Sequence, residues 1–445
     1  PISDINEKDP QDGYDIISTI DVYIQDIAHH ALLKQLEHYS ADHGCVVVME
    51  TKTGHIKAIS NLGRANDGSY YETQNYAITE SHEPGSTFKL VDLIAVLDDK
   101  KADTSTVYDS KGGRIEYYGR SVKDSNGKGY GKISLARGFE LSSNTVLVQS
   151  VYDSYKNNPK QFVDRINSYG LNKPLGLPIK GEGKPVIPQP GTNRWSGVAL
   201  PWMAFGYGLS VTPLQTLTLY NAVANDGVMV KPIFVSEIKE WNKTIKKYNA
   251  EVINPKICSQ EALNKVQAVL ENVVKRGTGS KLYSKDFSMA GKTGTAQVNY
   301  KDKSKLYYAS SFVGYFPANE PKYSCIVVVH KPNVAAGYYG ADVAGPVFKR
   351  IAQKIFTDSP STNHIKNIDA KVVSQESNYS NYYKKVEKET RIVPNVKGMS
   401  GMDAVALLEN LGLKVKVIGA GKVKKQSLTS GQAFNKNQTI IIELS

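Results

Sequence analysis

Apolar residues recur at helical spacing over Ile24, Ile27, Ala28, Ala31, Leu32, Leu36 and Tyr39, which predicts an amphipathic helix led by Thr19-Ile20-Asp21 and capped by Asp21. Two β-rich runs follow, 45–50 and 55–60, joined as a hairpin through Thr51-Lys52-Thr53-Gly54. The next run breaks the amphipathic rule. Residues 90–97 are apolar on nearly every side, and a helix without a polar face belongs inside a core. Lys89 stands at its entrance, directly after Glu83-Pro84-Gly85-Ser86-Thr87-Phe88.

Residues 102–132 are polar and read as loop, and 135–141 and 145–155 read as two helical pieces broken at Ser142-Ser143-Asn144. Further helices are predicted at 159–169, stopped by Gly170, and at 213–225, with Thr212 as cap, Pro213 at the first position and Gly227 past the end. Another spans 260–274, capped by Ser259, with Leu263, Val266, Val269, Leu270 and Val273 as its buried face. Three strand-like runs, 288–298, 309–316 and 323–330, have short polar connections and so pair antiparallel; a helix at 347–356 follows. The fold class is α+β, with strands from both ends of this region flanking a helical middle. Residues 357–391 turn Ser/Asn/Tyr/Lys-rich, as a linker does. Residues 392–445 form a small α+β unit: a short strand, a helix at 403–411 ended by Gly412, a strand at 413–418, a Gly/Lys/Ser loop and a strand at 439–444. Nothing in that unit could do chemistry.

With 445 residues, 40% of them hydrophobic, the chain can fill a large core and divide into two or three domains. Half of its formal charge of +12 falls in 384–445, which suits an anionic surface. Zinc-finger spacing, basic heptads and ribonucleoprotein motifs are lacking, so nucleic acid is excluded as a partner. Three cysteines, an odd and scattered set, make no disulfide framework; Cys45 and Cys325 open apolar strands as buried thiols. The eight histidines form no H-E-x-x-H, and His29 and His30 point to different sides of a helix, so no metal site is predicted. No apolar run reaches eighteen residues and no leader opens the chain; a start at Pro1 rather than Met leaves an upstream segment open.

Ser86 and Lys89, three apart, would share one helical face within reach of a hydrogen bond, a nucleophile beside a base. Pro84-Gly85 bends the chain so that Ser86 lies near free N–H groups, and burial should lower the pKa of Lys89. The same S-x-x-K spacing recurs at Ser125 to Lys128, in a Gly/Asn/Ser-rich loop, and at Ser236 to Lys239, at a strand end; both read as structural. Gly291-Lys292-Thr293-Gly294-Thr295 lies in a strand and cannot close a phosphate loop, because Asp286 stands where that loop needs glycine. Its lysine and two threonines suit a carboxylate, and its glycines a close approach. Lys52-Thr53-Gly54 lacks the second threonine and reads as turn chemistry. Ser142-Ser143-Asn144 alone is a helix cap.

The order S-x-x-K, S-x-N, K-T-G-T resembles the penicillin-binding proteins. The likeness runs over 15–356, through Thr19-Ile20-Asp21, Glu83 to Lys89, Gly206-Tyr207-Gly208-Leu209-Ser210-Val211-Thr212-Pro213 and Ala290 to Gln297, and is greatest to the class B, division-type transpeptidases. It implies their fold: an antiparallel five-stranded sheet flanked by helices, with a helical subdomain. It also implies roles. Ser86 would attack the carbonyl of a D-Ala-D-Ala stem peptide, Lys89 take its proton, Ser142 relay a proton to the leaving D-Ala, and Asn144 hold the peptide amide. Lys292, Thr293 and Thr295, with Gly294 between them, would bind the terminal carboxylate or a β-lactam. The N–H groups of Ser86 and Thr295 would form the oxyanion hole. A second stem-peptide amine would take the acyl group, with no cofactor and no metal. The resemblance further implies β-lactam antibiotics as inhibitors, division-complex membrane proteins as partners, and an extracytoplasmic location anchored by an N-terminal helix absent from this chain. Residues 392–445, through Val393-Pro394-Asn395-Val396-Lys397-Gly398-Met399, resemble a PASTA module, with Ser430-Gly431 where Pro-Gly is usual. The rivals are a D,D-carboxypeptidase, a β-lactam sensor or wall-binding scaffold, and a β-lactamase, against which stands the lack of an E-x-x-L-N run between Asn144 and Lys292.

Overall fold

Two largely β-branched runs far apart in sequence meet at the centre of the largest sheet: Val46, Val47 and Val48 lie opposite Val327, Ile326 and Cys325 in antiparallel register. The computed structural model describes residues 13–241, 243–300, 302, 304–358 and 391–445, in two compact units. The expected linker at 357–391 lies almost wholly outside the described residues.

The central sheet of the larger unit runs Ala290–Val298, Tyr307–Phe316, Tyr323–His330, His43–Glu50, Ile56–Arg64, Tyr70–Tyr71, each neighbour antiparallel. The expectation of five strands is one short. Tyr70–Tyr71 pairs only with Gly63 and Arg64, an edge too brief to show alternation in sequence.

Successive strand residues serve two cores. Val47, Val313, Ile326 and Val328 face the helices Lys89–Asp98 and Pro213–Ala224. Val46, Val48, Phe312, Val327 and Val329 face a second core closed by the helices Val22–Tyr39 and Gly345–Asp358. Because both faces are covered, these strands read as continuous apolar runs. The helix Lys89–Asp98 is buried from Lys89 to Leu97, as its composition requires. It starts later than expected: Gly85–Phe88 is a separate 3₁₀ turn, so Ser86 precedes the α-helix.

The expected caps are present. Asp21 accepts from the N–H groups of Tyr23 and Ile24, Ser259 from Ala262, and Thr212 forms a reciprocal capping box with Gln215. The expected loop at 102–132 instead holds two short pairings, Val107–Asp109 with Lys132–Ser134 and Arg114–Tyr117 with Arg120–Lys123. Three- and four-residue strands rich in charge carry too little alternation to be read. Among the described residues no helix is long and apolar enough to cross a membrane.

The smaller unit has its own core, including Val393, Val396, Leu407, Leu408, Ile440 and Ile442. Its helix spans Gly401–Asn410, capped by Ser400, and its strand Lys414–Ile418 runs parallel to Thr439–Leu444. The predicted Gly/Lys/Ser loop contains a further strand, Val423–Gln426, antiparallel to Thr439–Leu444. Its lysines hid it.

Thr212→Ala should remove the capping box and lower the unfolding free energy by about 1 kcal/mol, read from urea titration of the whole chain. An unchanged midpoint would show that the cap contributes nothing.

Candidate active site

The segment before Ser86 is tied down along its length. His82 exchanges two backbone hydrogen bonds of 3.1 Å with Val211, and Gly85 N–H donates to the Gly206 carbonyl at 3.1 Å. The Glu83 carboxylate accepts from Gly208 N–H at 2.8 Å and from the Tyr300 hydroxyl at 3.3 Å. Gly206 has φ +82°, and a Cβ there would lie 2.0 Å from the Gly85 carbonyl oxygen, so only glycine allows this approach. The 3₁₀ turn is held in turn by Thr87, whose hydroxyl donates to Pro84 O at 2.8 Å, and by the Tyr220 hydroxyl, which donates to Thr87 O at 2.8 Å.

Behind that turn two lysines are buried completely, Lys89 and Lys292. Lys89 Nζ donates to Ser142 O at 2.8 Å, Ser142 Oγ at 3.3 Å and Asn144 Oδ1 at 2.6 Å. Lys292 Nζ donates to the same Ser142 Oγ at 2.8 Å and to Thr293 O at 3.0 Å. The side-chain hydrogen bond expected between Ser86 and Lys89 is absent among the described residues. The 3₁₀ turn breaks the helical face they were to share, and the amine is directed across to the Ser142 turn instead.

That turn joins the helices Leu135–Glu140 and Asn144–Tyr155. Ser142 is left-handed, φ +57°, an unusual state for serine that needs support. Ser143 caps the second helix through Val146 N–H. The buried Asp124 carboxylate then anchors the turn, accepting from Ser143 Oγ at 3.1 Å, Thr145 N–H at 3.0 Å and Thr145 Oγ1 at 2.9 Å. Asn144 Nδ2 donates to Lys123 O at 2.7 Å, which leaves its carbonyl oxygen for Lys89.

On the strand Ala290–Val298, Thr293 Oγ1 lies 2.7 Å from Thr278 Oγ1, and Thr295 Oγ1 accepts from Gly340 N–H at 3.0 Å. A Cβ on Gly294 would meet Ser311 Oγ at 2.2 Å and Thr87 at 2.9 Å, so glycine lets this strand pass close to the 3₁₀ turn that holds Ser86.

Ser86, Asn144 and Thr295 line both of two cavities, of about 1040 Å³ and 300 Å³; Ser142 and Thr293 line the smaller one. The larger has an aromatic wall that includes Trp202, Phe205, Tyr207 and Tyr300. Of the discounted sites, Ser125 also lines both cavities, a position its loop composition did not disclose. Ser236 donates to Ile17 O in a separate sheet, and Thr53 bonds Glu50 within the hairpin turn. Sequence reasoning missed Asp124, Thr278 and Gly340. Thr278, bracketed by glycines after a predicted helix, carried a faint signal; Asp124 carried none. It also predicted no metal site, yet outside both cavities, at the ends of two sheet strands, His43, Glu80 and His330 gather with their donor atoms within 4.8 Å of one another.

Burial pushes the Lys89 amine down to about 7, against the opposing pull of the Asp124 and Asp92 charges. Burial holds Lys292 well below the usual lysine range, and the charge of Lys89 lowers it further. Two amines in one dry site disfavour each other's charge.

A serine at the mouth of a cleft, backed by two buried lysines that share a second serine hydroxyl, defines the acyl-serine class of site. The penicillin binding protein transpeptidase domain family matches residues 44–353, and the PASTA domain family matches 391–445. This chain belongs to the penicillin-binding protein transpeptidase family. It is 28% identical to stage V sporulation protein D of Bacillus subtilis over 449 residues, 98% of this chain and 66% of that protein. It is 30% identical to the probable peptidoglycan D,D-transpeptidase PenA of Neisseria gonorrhoeae over 355 residues, 77% of this chain and 57% of that one. The chain thus spans 57% to 66% of the length of these two relatives. Penicillin-binding protein 3 of Mycobacterium tuberculosis in complex with aztreonam superposes with a TM-score of 0.69 at 25% identity, over 78% of this chain and 80% of that one.

Gly206→Ala should cost roughly 2–4 kcal/mol, because it combines strain with a backbone clash. Gly208→Ala, with φ +71° but no neighbour nearer than 3.9 Å, should cost only about 1 kcal/mol. Urea unfolding of the two variants checks the difference, and equal losses would show that close approach at Gly206 is unimportant.

Proposed function

We propose that the chain is a serine D,D-transpeptidase that cross-links peptidoglycan stem peptides through an acyl-enzyme at Ser86, in septal cell-wall synthesis, and is covalently inhibited by β-lactams. The observation that carries this reading is the Ser142 hydroxyl, held between two buried amines in a cavity that Ser86 also lines. Ser86 Oγ attacks the penultimate D-Ala carbonyl and its proton passes to neutral Lys89. The bond to the terminal D-Ala breaks, and a proton passes through Ser142 to the leaving amine. The amine of a second stem peptide then attacks the ester, displacing Ser86, which regains a proton. Lys292, Thr293 and Thr295, on a strand across the cleft, take the substrate carboxylate, and Gly294 lets that strand come close. A bound carboxylate favours charge on Lys292, and that charge in turn keeps Lys89 neutral.

A cavity of about 1040 Å³ with an aromatic wall has room for a second peptide beside the first, as transfer requires. In this reading residues 1–356 are the transpeptidase domain, 357–391 a linker and 392–445 a PASTA-like module. The working location is the outer side of the cytoplasmic membrane, among division-complex membrane proteins.

Ser86→Ala should abolish covalent labelling by a fluorescent penicillin, while Ser125→Ala and Ser236→Ala retain it. Lys89→Arg keeps the charge but cannot accept a proton, so its acylation rate should fall as far as that of Lys89→Ala. Labelling of Ser86→Ala, or fast acylation of a folded Lys89→Arg protein, would overturn the assignment.

Acylation should be slow at acid pH and rise as Lys89 deprotonates, through about pH 7. The Asp124 charge raises the pKa of Lys89, so Asp124→Asn should move this limb to lower pH. A merely structural role for Asp124 would lower the rate at every pH without moving the limb, a distinction that stopped-flow profiles resolve.

A further inference from the structure

Three histidines and two carboxylates meet at the ends of the two central strands, and none of them lines the cavities beside Ser86. His43 opens the strand His43–Glu50 and His330 closes Tyr323–His330, and their register makes them partners. Their rings stack, with centroids 4.4 Å apart and planes 11° from parallel. Glu80, which ends the short helix Tyr76–Thr79, turns its carboxylate to both: Oε2 is 2.9 Å from His43 Nε2 and 3.8 Å from His330 Nε2. The other nitrogen of His43, Nδ1, lies 2.9 Å from Asp42 Oδ2. His82 meets the His330 ring edge-on at 5.1 Å.

Hydrogen bonding leaves this cluster incomplete. Glu80 satisfies His43, but 3.8 Å is too long for a bond to His330, and the Nδ1 atoms of His330 and His82 are buried without a partner. The acyl-transfer chemistry uses none of these groups. Two imidazole nitrogens and a carboxylate oxygen are, however, a zinc donor set, and zinc bonds of about 2.0–2.2 Å place donors roughly 3.3 Å apart. The two separations from Glu80 Oε2, 2.9 and 3.8 Å, bracket that value, and all three donor atoms lie within 4.8 Å of one another. Calcium and magnesium would want oxygen from every donor. Asp42 supplies the outer carboxylate that fixes the orientation of a metal-bound imidazole. The buried His330 gives the site depth, while the part-exposed His43 and Glu80 leave a path from solvent.

We propose that His43, Glu80 and His330 bind one zinc ion, which ties the Glu80-to-Ser86 approach to the two central strands of the sheet. An ion there joins three segments that meet only through tertiary structure, so it binds the folded state and stabilises it.

The test uses the whole chain, stripped with a chelator and titrated with zinc chloride in a calorimeter. Cobalt(II) serves as a second, coloured probe of the ligand set. The expected result is one equivalent of zinc, a raised melting temperature, and visible cobalt bands of a nitrogen and oxygen site. Glu80→Gln and His330→Gln should weaken binding on the order of a hundredfold, and Asp42→Asn, at the exposed outer position, by about ten- to a hundredfold. His30→Gln should change nothing. If a buried variant misfolds by circular dichroism, Asp42→Asn and the cobalt spectrum of the unaltered chain decide. Lack of saturable binding at one equivalent, or binding that survives Glu80→Gln and Asp42→Asn unchanged, would overturn the proposal.

Discussion

One hydroxyl between two buried amines is the constraint on which this structure rests. A lysine taken wholly out of water resists its charge, and a second lysine on the same oxygen strengthens that resistance. The two amines and Ser142 Oγ therefore form a set in which the place of a proton is easily changed, the property that the proposed acyl transfer would use. Such a set cannot assemble locally. Lys89 comes from the core helix, Ser142 from an interhelical turn and Lys292 from a strand, and only the packing of helix, turn and sheet together brings them within hydrogen-bond distance.

Each supporting feature serves that convergence. The left-handed turn at Ser142 directs both its carbonyl and its hydroxyl at Lys89, and Asp124 holds the turn from the far side through Ser143 and Thr145. Glycines admit the close contacts, Gly206 against Gly85 and Gly294 against Thr87. The sheet register fixes the height of the third motif, because Lys292 pairs with Val313, which pairs with Ile326, itself opposite Val47. An error in any pairing would move Lys292 away from Ser142.

How much of this the chain discloses depends on the range of the interaction. Helix caps at Asp21, Thr212 and Ser259 and the apolar faces behind them are local, and they stood out in the pattern. Ser86, Lys89, Ser142, Asn144, Lys292, Thr293 and Thr295 stood out because each motif is a short run, and the structure brings these residues together. The direction of the Lys89 amine did not, since it turns on a 3₁₀ turn where helical spacing implied a continuous face. Asp124, Thr278 and the cluster of His43, Glu80 and His330 were invisible for a plainer reason: their partners are distant in sequence, and no spacing rule connects them. Short charged strands such as Arg114–Tyr117 and Val423–Gln426 were lost because their lysines and arginines mask alternation.

The same burial acts in opposite senses on two neighbours in the core helix. Asp92, one turn beyond Lys89, is fully buried, and its carboxyl oxygens have no hydrogen-bond partner among the described residues. Burial pushes its pKa well above the carboxylate range, with the charge of Lys89 pulling the other way. The charge of an ionised Asp92 favours the ammonium form of Lys89. Of the two acids that pull the Lys89 pKa up, Asp124 acts more strongly, from beyond the Ser142 turn, and Asp92 less. Burial in a stretch as apolar as 90–97 thus acts on Lys89 twice, directly on the amine and by opposing the negative charge of the nearest acid on the same helix.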